Sequence, residues 1–335
     1  MKVLELGDER WRDFVLSRAD ATIFHHPAWA QLLADCYGYP AKVLALTDDG
    51  RGVVAGLPVI DVTLPFGRRR WMSLPFTDHC PPLNSGHDLV PGLRDVARSF
   101  KVDSVQIRAP LPADEGVQAD AAFVRHDLSL GPDVAATWKK LRRNHRRSIA
   151  DAEEAGTRIV QGNTSEDLDV FYRIHLQTRR RLGVPVQPRR FFRLFLERII
   201  RPGLGFILTA YLGDRPAAAA VFCAWNGTLM CKYSGRADGF TRLDAIHLLF
   251  WHAIRSGSTG SHTFDLGRSG IEQAQLRSFK IGWGAQESPL SYSWIARSPI
   301  RPSSHRAQDA LGVIIRNSKP WLCRATGELL YRYAP

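Results

Sequence analysis

The sequence predicts an α+β fold in which mixed sheets are flanked by helices. Two kinds of segment support this prediction. Runs that alternate apolar and polar residues between turn signals are typical of strands, and apolar residues spaced three and four apart are typical of amphipathic helices. The same order of segments occurs twice along the 335 residues. A chain of this length is expected to form two domains.

The N-terminal half is predicted to begin with helices. One opens the chain, and a second covers residues 25–39, where Pro27 suits a first helical turn. Residues 41–64 alternate around the turn sequence Asp48-Asp49-Gly50 and therefore predict a β-hairpin. A further strand and then a helix–strand pair are expected within residues 68–76 and 96–110.

The C-terminal half repeats this order. Amphipathic helices are expected over residues 168–182 and 188–200. Residues 205–237 predict three antiparallel strands, because Gly213-Asp214 and Asn226-Gly227 are favourable two-residue turns. The last elements are a helix starting near Asp244, a strand, a short helix and a strand, within residues 244–257, 262–270, 277–283 and 289–296.

The composition favours a polyanionic partner. The formal net charge is +12 and the isoelectric point about 9.8, so nucleic acid, phosphorylated substrates or an anionic membrane surface are expected to bind, although liberal use of Arg would produce the same balance. The chain shows no signal peptide and no apolar run of transmembrane length, which predicts a cytoplasmic location. Five scattered cysteines indicate reduced thiols, and no His or Cys spacing predicts a metal.

The order helix–helix–strand–strand–strand–helix–strand–helix–strand is that of the GNAT acyltransferase fold. Because its outline occurs twice, we predict a tandem of GNAT-like domains. The predicted limits are a degenerate domain over residues 1–130, a catalytic domain over 131–298, and a linker with a peripheral helix over 299–335.

Several motifs resemble the FemABX-type aminoacyltransferases and their FemAB-like relatives with a GNAT fold. The most specific is FDLGRSGIEQAQLRSFKIGWGA, in which a strand ending Phe-Asp-Leu-Gly-Arg-Ser precedes a Phe-Lys pair and a Trp-Gly pair. Other matching segments are IFHHPAWAQLL, SLPFTDHCPPL, WKKLRRNHRRSIADAEEAGTRIV and FYRIHLQTRRRLGVPVQPRRFF. The resemblance covers most of the chain. It implies transfer of an aminoacyl group from aminoacyl-tRNA to an amine, with the cleft in or beside the second domain.

The resemblance places the family's Phe-Lys pair on Phe279 and Lys280 and implies that Lys280 acts in donor binding and catalysis. A partly desolvated Lys could stabilise a developing oxyanion or the terminal tRNA phosphate, and Phe279 could hold its stem or stack on the terminal base. The two glycines around Trp283 would allow close approach to the donor. The alternative is an ordinary surface Lys on a helix packed against the core.

The end of the strand before Lys280 is the second candidate region. Asp265 could accept the proton of the attacking amine or orient that amine, and Arg268 could bind a carboxylate or phosphate. Ser269 lies beside them, and Tyr233 and Arg236 are expected to face the same gap between splayed strands. The alternative for Asp265 and Arg268 is an internal ion pair that pins the loop.

A basic run is the third candidate region, because six of the nine residues from 139 to 147 are Lys or Arg on a segment that resembles a helix. It could follow a tRNA backbone or a lipid phosphate, or it could be a solvated helix face. The basic residues are Lys139, Lys140, Arg142, Arg143, Arg146 and Arg147.

Acceptor contacts are expected from Asp78 and His79 in the first domain. Gln187 and Phe191 fall where the cell-wall members of the family carry an Arg and a Tyr, so these two positions are assigned to substrate binding. Their departure from the pattern weakens the prediction of a peptidoglycan precursor as acceptor and leaves the donor side untouched.

Three functions are weighed from the sequence. The first is a transferase without cofactor that moves an aminoacyl group from charged tRNA to a peptide, an amino sugar or an envelope or specialised-metabolite precursor. The second is an acyl-CoA-dependent N-acyltransferase of exopolysaccharide or envelope assembly, which residues 236–241, RADGFT, support only weakly because they match little of the pyrophosphate-binding loop. The third is a non-catalytic basic module that binds nucleic acid or an anionic membrane.

Overall fold

The computed structural model describes residues 1–48, 52–63, 67–240, 243–257, 260–296, 312, 315–317 and 320–331. These residues form two compact units. The first contains Met1–Val124 together with residues 289–296, and the second contains residues 125–288 and the described residues from 312 to 331. The domain limits 1–130, 131–298 and 299–335 stay predictions. The units differ from them chiefly at residues 289–296, because residues 293–296 pair antiparallel with residues 104–107 of the first unit.

The first unit has a sheet with helices packed on it. Its elements are β1 (Lys2–Glu5), α1 (Glu9–Ser17), α2 (Pro27–Tyr37), β2 (Ala41–Asp48), β3 (Gly52–Thr63), β4 (Arg69–Met72), α3 (Val90–Ser99) and β5 (Ser104–Ile107). The strand order is β1–β2–β3–β4–β5, followed by the C-terminal part of β12 (Gln286–Ala296). A core that includes Leu57, Trp71, Val90 and Ile107 is fully buried against this sheet.

The N-terminal predictions are confirmed with two corrections. Helix α3 begins at Val90, ahead of the range 96–110 in which it was expected. A short strand, β1, precedes the first helix and pairs antiparallel with β2, and the side chain of Asp8 then caps α1. Pro27 occupies the first turn of α2 behind the N-cap His26. Strands β2 and β3 form the predicted hairpin, with Asp48 opposite Gly52. The turn residues 49–51 themselves lie outside the described residues.

The second unit is a larger α/β layer structure. It contains α4 (Val134–Lys140), α5 (Arg143–Glu154), β7 (Arg158–Gly162), α6 (Ser165–Leu182), α7 (Arg189–Phe195), β8 (Gly205–Leu212), β9 (Arg215–Trp225), β10 (Thr228–Arg236), α8 (Ala245–Gly257), β11 (Thr263–Gly270), α9 (Ala274–Ile281) and α10 (Pro320–Leu330). A π-helical turn, Leu196–Ile200, continues α7. Strand β6 (Val117–Ser129) crosses the boundary between the units, and the strand order in this unit is β6–β11–β10–β9–β8–β7.

The turn chemistry of β8–β9–β10 is as predicted. Leu212 pairs with Arg215 and Trp225 pairs with Thr228, so each turn has two residues. Asn226 and Gly227 have φ values of 49° and 71°, the positive angles that a tight hairpin turn of matching twist requires. Phe250 of α8 packs on the sheet through edge-to-face contacts with Phe222 of β9 and Phe264 of β11, all three being buried.

The basic run does not form the single helix that the sequence predicts. Helix α4 ends at Lys140 and α5 begins at Arg143, because Leu141 takes an extended conformation and is 2% exposed. The backbone N–H of Arg142 donates to the carbonyl of Gly282 at 2.8 Å, which anchors the break. Burial of one apolar side chain therefore overrides the helical pattern around it. Strands β6 and β7 were not predicted from the sequence.

Candidate active site

The two middle strands of the second unit separate as they leave the core. Strands β10 and β11 are parallel, and their register pairs Thr228 with Thr263 through Met230 with Asp265. Both strands continue beyond these three pairs, to Arg236 and Gly270. Strand β10 also carries an irregularity between Cys231 and Tyr233. A bulge changes the direction of main-chain and side-chain groups next to it. The gap between β10 and β11 is therefore the candidate site that the sequence predicts.

Lys280 lies at this end of β11. Its side chain comes from the last turn of α9 and the residue is 6% exposed. The ammonium donates hydrogen bonds to the carbonyl of Gly267 at 3.0 Å and to the carbonyl of Arg268 at 2.7 Å. A buried charge is tolerated when its donors are satisfied in this way. The structure thus excludes the surface Lys considered as the alternative, and gives Lys280 a structural task in holding the end of β11.

Asp265 is buried in the same region and is 1% exposed. Its Oδ1 accepts a 2.6 Å hydrogen bond from the backbone N–H of Gly267, and its Oδ2 lies 3.8 Å from a guanidinium nitrogen of Arg125. Gly267 has a φ of 72°, so the chain turns there in a conformation that favours Gly. Asp265 and Lys280 therefore meet the same short segment from two sides. The internal pair of Asp265 with Arg268 stays a prediction.

Ser269 and Arg268 continue the strand end. Ser269 is 1% exposed, and its hydroxyl has no hydrogen-bond partner among the described residues. Arg268 is half-buried, and its carbonyl is one of the two that Lys280 binds. The ammonium of Lys280 therefore helps to fix the backbone conformation at the end of β11.

A histidine–carboxylate network behind Lys280 was not found from the sequence. His126 is fully buried, and its Nε2 lies 3.0 Å from Oε2 of Glu287. Glu287 also accepts two hydrogen bonds from Arg277, which holds the pKa of this carboxyl below its usual range. Burial, followed by the nearby charge of Lys280, lowers the pKa of His126. His126 and Glu287 are 161 residues apart, so no local pattern could have revealed them.

Phe279 contributes to an aromatic cluster on the other side of α9. Its ring lies 5.4 Å from His145 and 5.3 Å from His247, between centroids. His145 Nε2 lies 2.9 Å from the carbonyl of Phe279, and because a carbonyl only accepts, this nitrogen carries the proton. Burial, followed by the charge of His145, lowers the pKa of His247 to about 4. The ring of Phe279 is half-buried, which leaves part of it for the contact predicted with the donor.

The glycines around Trp283 serve packing within the protein. A Cβ on Gly282 would overlap the ring of His145, and a Cβ on Gly284 would lie 2.7 Å from the Cβ of Lys140. Gly284 also has a φ of 83°. The close approach that the structure shows at these glycines is to α5 and to the end of α4, and their approach to the donor stays a prediction.

Gln187 and Phe191 lie in the interior. Phe191 is fully buried, and Gln187 is 3% exposed with its Oε1 receiving a hydrogen bond from His175 Nε2 at 2.9 Å. Burial and nearby Arg179 lower the pKa of His175 to about 3, so the ring is neutral. Because both side chains are buried, the expectation that Gln187 and Phe191 contact an acceptor directly is corrected. They support Tyr233, whose half-buried ring lies 5.3 Å from His175.

Arg236 is the last residue of β10 and is half-buried. Its backbone N–H donates to Thr178 Oγ1 at 3.2 Å, and its carbonyl accepts from Arg181 at 2.6 Å. Residues 236–241, which match little of the pyrophosphate-binding loop, are described only up to residue 240, since residues 241 and 242 lie outside the described residues. Asp244, which precedes α8, accepts a 3.1 Å hydrogen bond from Ser148.

Asp78 and His79 lie in the first unit, whereas the candidates above lie in the second. The carbonyl of Asp78 accepts a 2.7 Å hydrogen bond from the hydroxyl of Tyr292. His79 is 4% exposed, with its ring 5.8 Å from that of Phe24. The side chain of Asp78 is half-buried, so it is the more accessible of the two predicted acceptor contacts.

The basic residues form an exposed surface on α4 and α5. Lys139, Lys140, Arg142, Arg143 and Arg147 are exposed and Arg146 is half-buried. Their contacts are few: Lys140 donates to the carbonyl of Ser129 at 3.2 Å, Arg142 donates to Ser278 Oγ at 3.0 Å, and Arg147 lies 3.7 Å from Asp151. Exposed ion pairs of this kind contribute little, so the charges are available to a polyanion.

The described residues contain no group of three His, Cys, Asp or Glu side chains placed to bind a metal ion. Among those same residues, each helix is either too short or too polar to cross a bilayer.

The bulged β10, its divergence from β11 and the helices around them have the arrangement that the sequence predicts for a GNAT-like domain. Residues 139–275 match the family model described as an acetyltransferase (GNAT) domain. A comparison with curated protein sequences finds no match.

Solved structures extend the likeness over nearly the whole chain. The structure of FemX shares 12% identity, covers 88% of this chain and 97% of its own, and has a TM-score of 0.70. The C-terminal domain of a putative lysylphosphatidylglycerol synthetase from Agrobacterium fabrum shares 15% identity, with coverage of 90% and 94% and a TM-score of 0.56. A tandem GNAT protein from the clavulanic acid biosynthesis pathway shares 12% identity, with coverage of 90% and 99% and a TM-score of 0.54. Residues 139–275 thus match an acetyltransferase (GNAT) domain, and the chain as a whole has a tandem GNAT, FemX-like fold, as the sequence motifs indicate.

Proposed function

We propose that this protein forms an amide by moving an aminoacyl group from aminoacyl-tRNA to an amine acceptor. The observation that carries the proposal is the buried ammonium of Lys280, which is 6% exposed and is held at the end of β11 where β10 and β11 separate. A fixed positive charge in a site of low solvent access stabilises the negative charge that develops on an attacked carbonyl.

The chemistry requires one bond exchange. The acceptor nitrogen attacks the ester carbonyl, the new C–N bond forms, and the C–O bond to the 3′ oxygen of the tRNA breaks. The proton lost by the amine ends on that oxygen. Asp265 is assigned to orient the amine or accept its proton, because its carboxylate binds the same strand-end residue, Gly267, as the ammonium of Lys280.

Electrostatics at α8 favour tRNA over coenzyme A as the donor. A pyrophosphate is best bound at a helix N-terminus that carries no negative side chain. Here Asp244 lies immediately before α8 and accepts from Ser148 of α5. The exposed Arg143 and Arg147 of α5 instead offer a surface for the phosphates of a longer polyanion.

The acceptor is proposed to be the amine of a peptide, an amino sugar or an envelope or specialised-metabolite precursor. The buried Gln187 and the apolar Phe191 replace the cationic and phenolic groups expected for a nucleotide-linked cell-wall precursor. The structures named FemX and lysylphosphatidylglycerol synthetase support peptide and lipid acceptors as the first classes to try.

A second candidate function is acyl transfer from acyl-CoA. The match of residues 139–275 to an acetyltransferase model and the bulge in β10 favour it. The same gap would then accept a thioester in place of an ester.

The test is a donor competition. The full chain is incubated with an amine mixture and either tRNA charged with a labelled amino acid or labelled acetyl-CoA, and amide products are counted. Lys280→Met is the test variant and Lys2→Met, at an exposed position of β1, is the matched control. Consumption of charged tRNA that needs Lys280 and not Lys2 supports the proposal. Consumption of acetyl-CoA alone would contradict the proposal and support the second candidate function. Turnover unaffected by Lys280→Met would show that Lys280 does not belong to the active site.

A further inference from the structure

A cavity of about 500 Å³ opens on the surface of the second unit, away from the gap between β10 and β11. It is formed by α7 and α10. We call it the arginine cavity, and it is lined by Arg189, Arg190, Arg193, Arg324 and Glu328. Its size is within the range of ordinary ligand sites. Four guanidinium groups and one carboxylate give it a strongly positive lining.

The packing of α10 fixes the shape of this cavity. Gly327 lies so close to the carbonyl of Val186 that a Cβ there would overlap it. One turn earlier, Cys323 is fully buried and its thiol lies 3.6 Å from the carbonyl of Val184. Glu328 accepts a 2.9 Å hydrogen bond from the backbone N–H of Arg189, which ties α10 to the start of α7. The two helices are therefore held in register by contacts other than the arginine side chains.

Most of the positive charge is left uncompensated. Arg189 forms an ion pair with Asp169. Arg190, Arg193 and Arg324 are exposed, and within the described part of the chain they have no hydrogen bond or ion pair. Guanidinium groups bind phosphate oxygens in pairs, and three of them around one cavity match a phosphate group.

An exposed indole lies on the same helix as two of the residues that line the arginine cavity. Trp321 is 64% exposed, the highest value among the large hydrophobic side chains of the described residues. It lies three residues before Arg324 and seven before Glu328 on α10, so the three side chains share one face of the helix. The opposite face of α10 carries the buried Cys323 and Gly327. Exposed Trp beside exposed Arg is typical of surfaces that meet the head-group region of a membrane.

We propose that the arginine cavity binds the phosphate of an anionic phospholipid head group while Trp321 enters the membrane interface. A soluble phosphate would use the guanidinium groups but would have no use for the indole, and this difference selects the lipid. The proposal goes beyond amide formation, because it places the second unit at a membrane surface whichever donor the gap between β10 and β11 uses.

The test is cosedimentation of the full chain with vesicles of phosphatidylcholine alone and with phosphatidylglycerol added. The cavity variant is Arg190→Gln/Arg193→Gln. The control is Arg143→Gln/Arg147→Gln on α5, which removes the same charge from another exposed surface. Trp321→Ala is measured as well, and thermal unfolding confirms that each variant is folded. Pyrophosphate is the soluble probe, titrated by calorimetry.

Support would be binding that needs the anionic lipid and is weakened roughly tenfold or more by the cavity variant, against a small change in the control. Trp321→Ala should weaken vesicle binding and leave pyrophosphate binding unchanged. Equal losses in the cavity variant and the control would show nonspecific charge attraction and overturn the proposal. Pyrophosphate binding without vesicle binding would also overturn it, since the ligand would then be a soluble phosphate.

Discussion

The ammonium of Lys280 and the carbonyl oxygen of Arg268 are joined by a 2.7 Å hydrogen bond inside the second unit. A second hydrogen bond joins the ammonium to the carbonyl of Gly267. The two bonds hold the positive charge that the proposed chemistry needs against the backbone of β11, where this strand ends at the gap. Function and local stability consequently depend on the same side chain.

Replacing Lys280 is expected to lower both the stability of the fold and the rate of transfer. Lys280→Met removes the charge and leaves two buried carbonyls without their donor, which costs about 2 kcal/mol or more. Transfer should fall by roughly a hundredfold at temperatures where the variant is folded. The sequence alone predicts an unperturbed fold for Lys280→Ala. A denaturation midpoint equal to that of Lys2→Met would show that the two hydrogen bonds contribute nothing.

The glycines beside Trp283 should resist substitution for packing reasons. Gly282→Ala places a methyl group against the ring of His145 and should lower the free energy of unfolding by about 1–3 kcal/mol. Gly7→Ala, where nothing lies within 4 Å, is the matched control. Urea denaturation of the two variants provides the comparison, and equal midpoints would refute the contact.

The basic surface of α5 should determine the salt dependence of tRNA binding. Each phosphate contact that is removed lowers the slope of log K against log salt by about one. Arg143→Gln should therefore weaken binding uniformly across tRNA species and flatten this slope. Filter binding between low and moderate salt measures it, with Arg12→Gln on α1 as the control. If both variants keep the full slope, the α5 surface does not bind tRNA.

Stability should fall as the pH falls from about 6.5 toward 4. Burial lowers the pKa of His25 to about 4 and that of His175 to about 3, so the folded state excludes protons that the unfolded chain binds. The stability that each neutral histidine provides is fully present above the pKa of histidine in the unfolded chain. It is lost as the pH falls from there toward the folded-state pKa, by about 3 kcal/mol of unfolding free energy for each histidine. His175→Gln, which keeps a donor for Gln187, should flatten the curve of unfolding free energy against pH. An unchanged curve would mean that His175 does not titrate as described.

The strands and turns of the second unit were largely predictable. Alternating apolar residues and the pairs Gly213-Asp214 and Asn226-Gly227 act locally, so their effect is visible over a few residues. Pro27 and the hairpin around residues 49–51 followed from similar local preferences. Strand β1 was missed because four residues give too short a pattern.

The site was predictable only in part. Lys280, Asp265 and Ser269 were chosen from a motif, and the structure brings them to one strand end. The partners of Lys280 are main-chain carbonyls, which no residue pattern specifies. Phe191 was placed in the site by position alone, whereas packing puts it in the core.

The sequence by itself determined the order of helices and strands, the excess of positive charge and the choice of Lys280, because these depend on residues close together in the chain. Only the tertiary structure decided that His126 meets Glu287, that Gly282 makes room for His145, and that α10 closes a cavity over α7. Such contacts join residues separated by more than a hundred positions, and burial, not local preference, selects them.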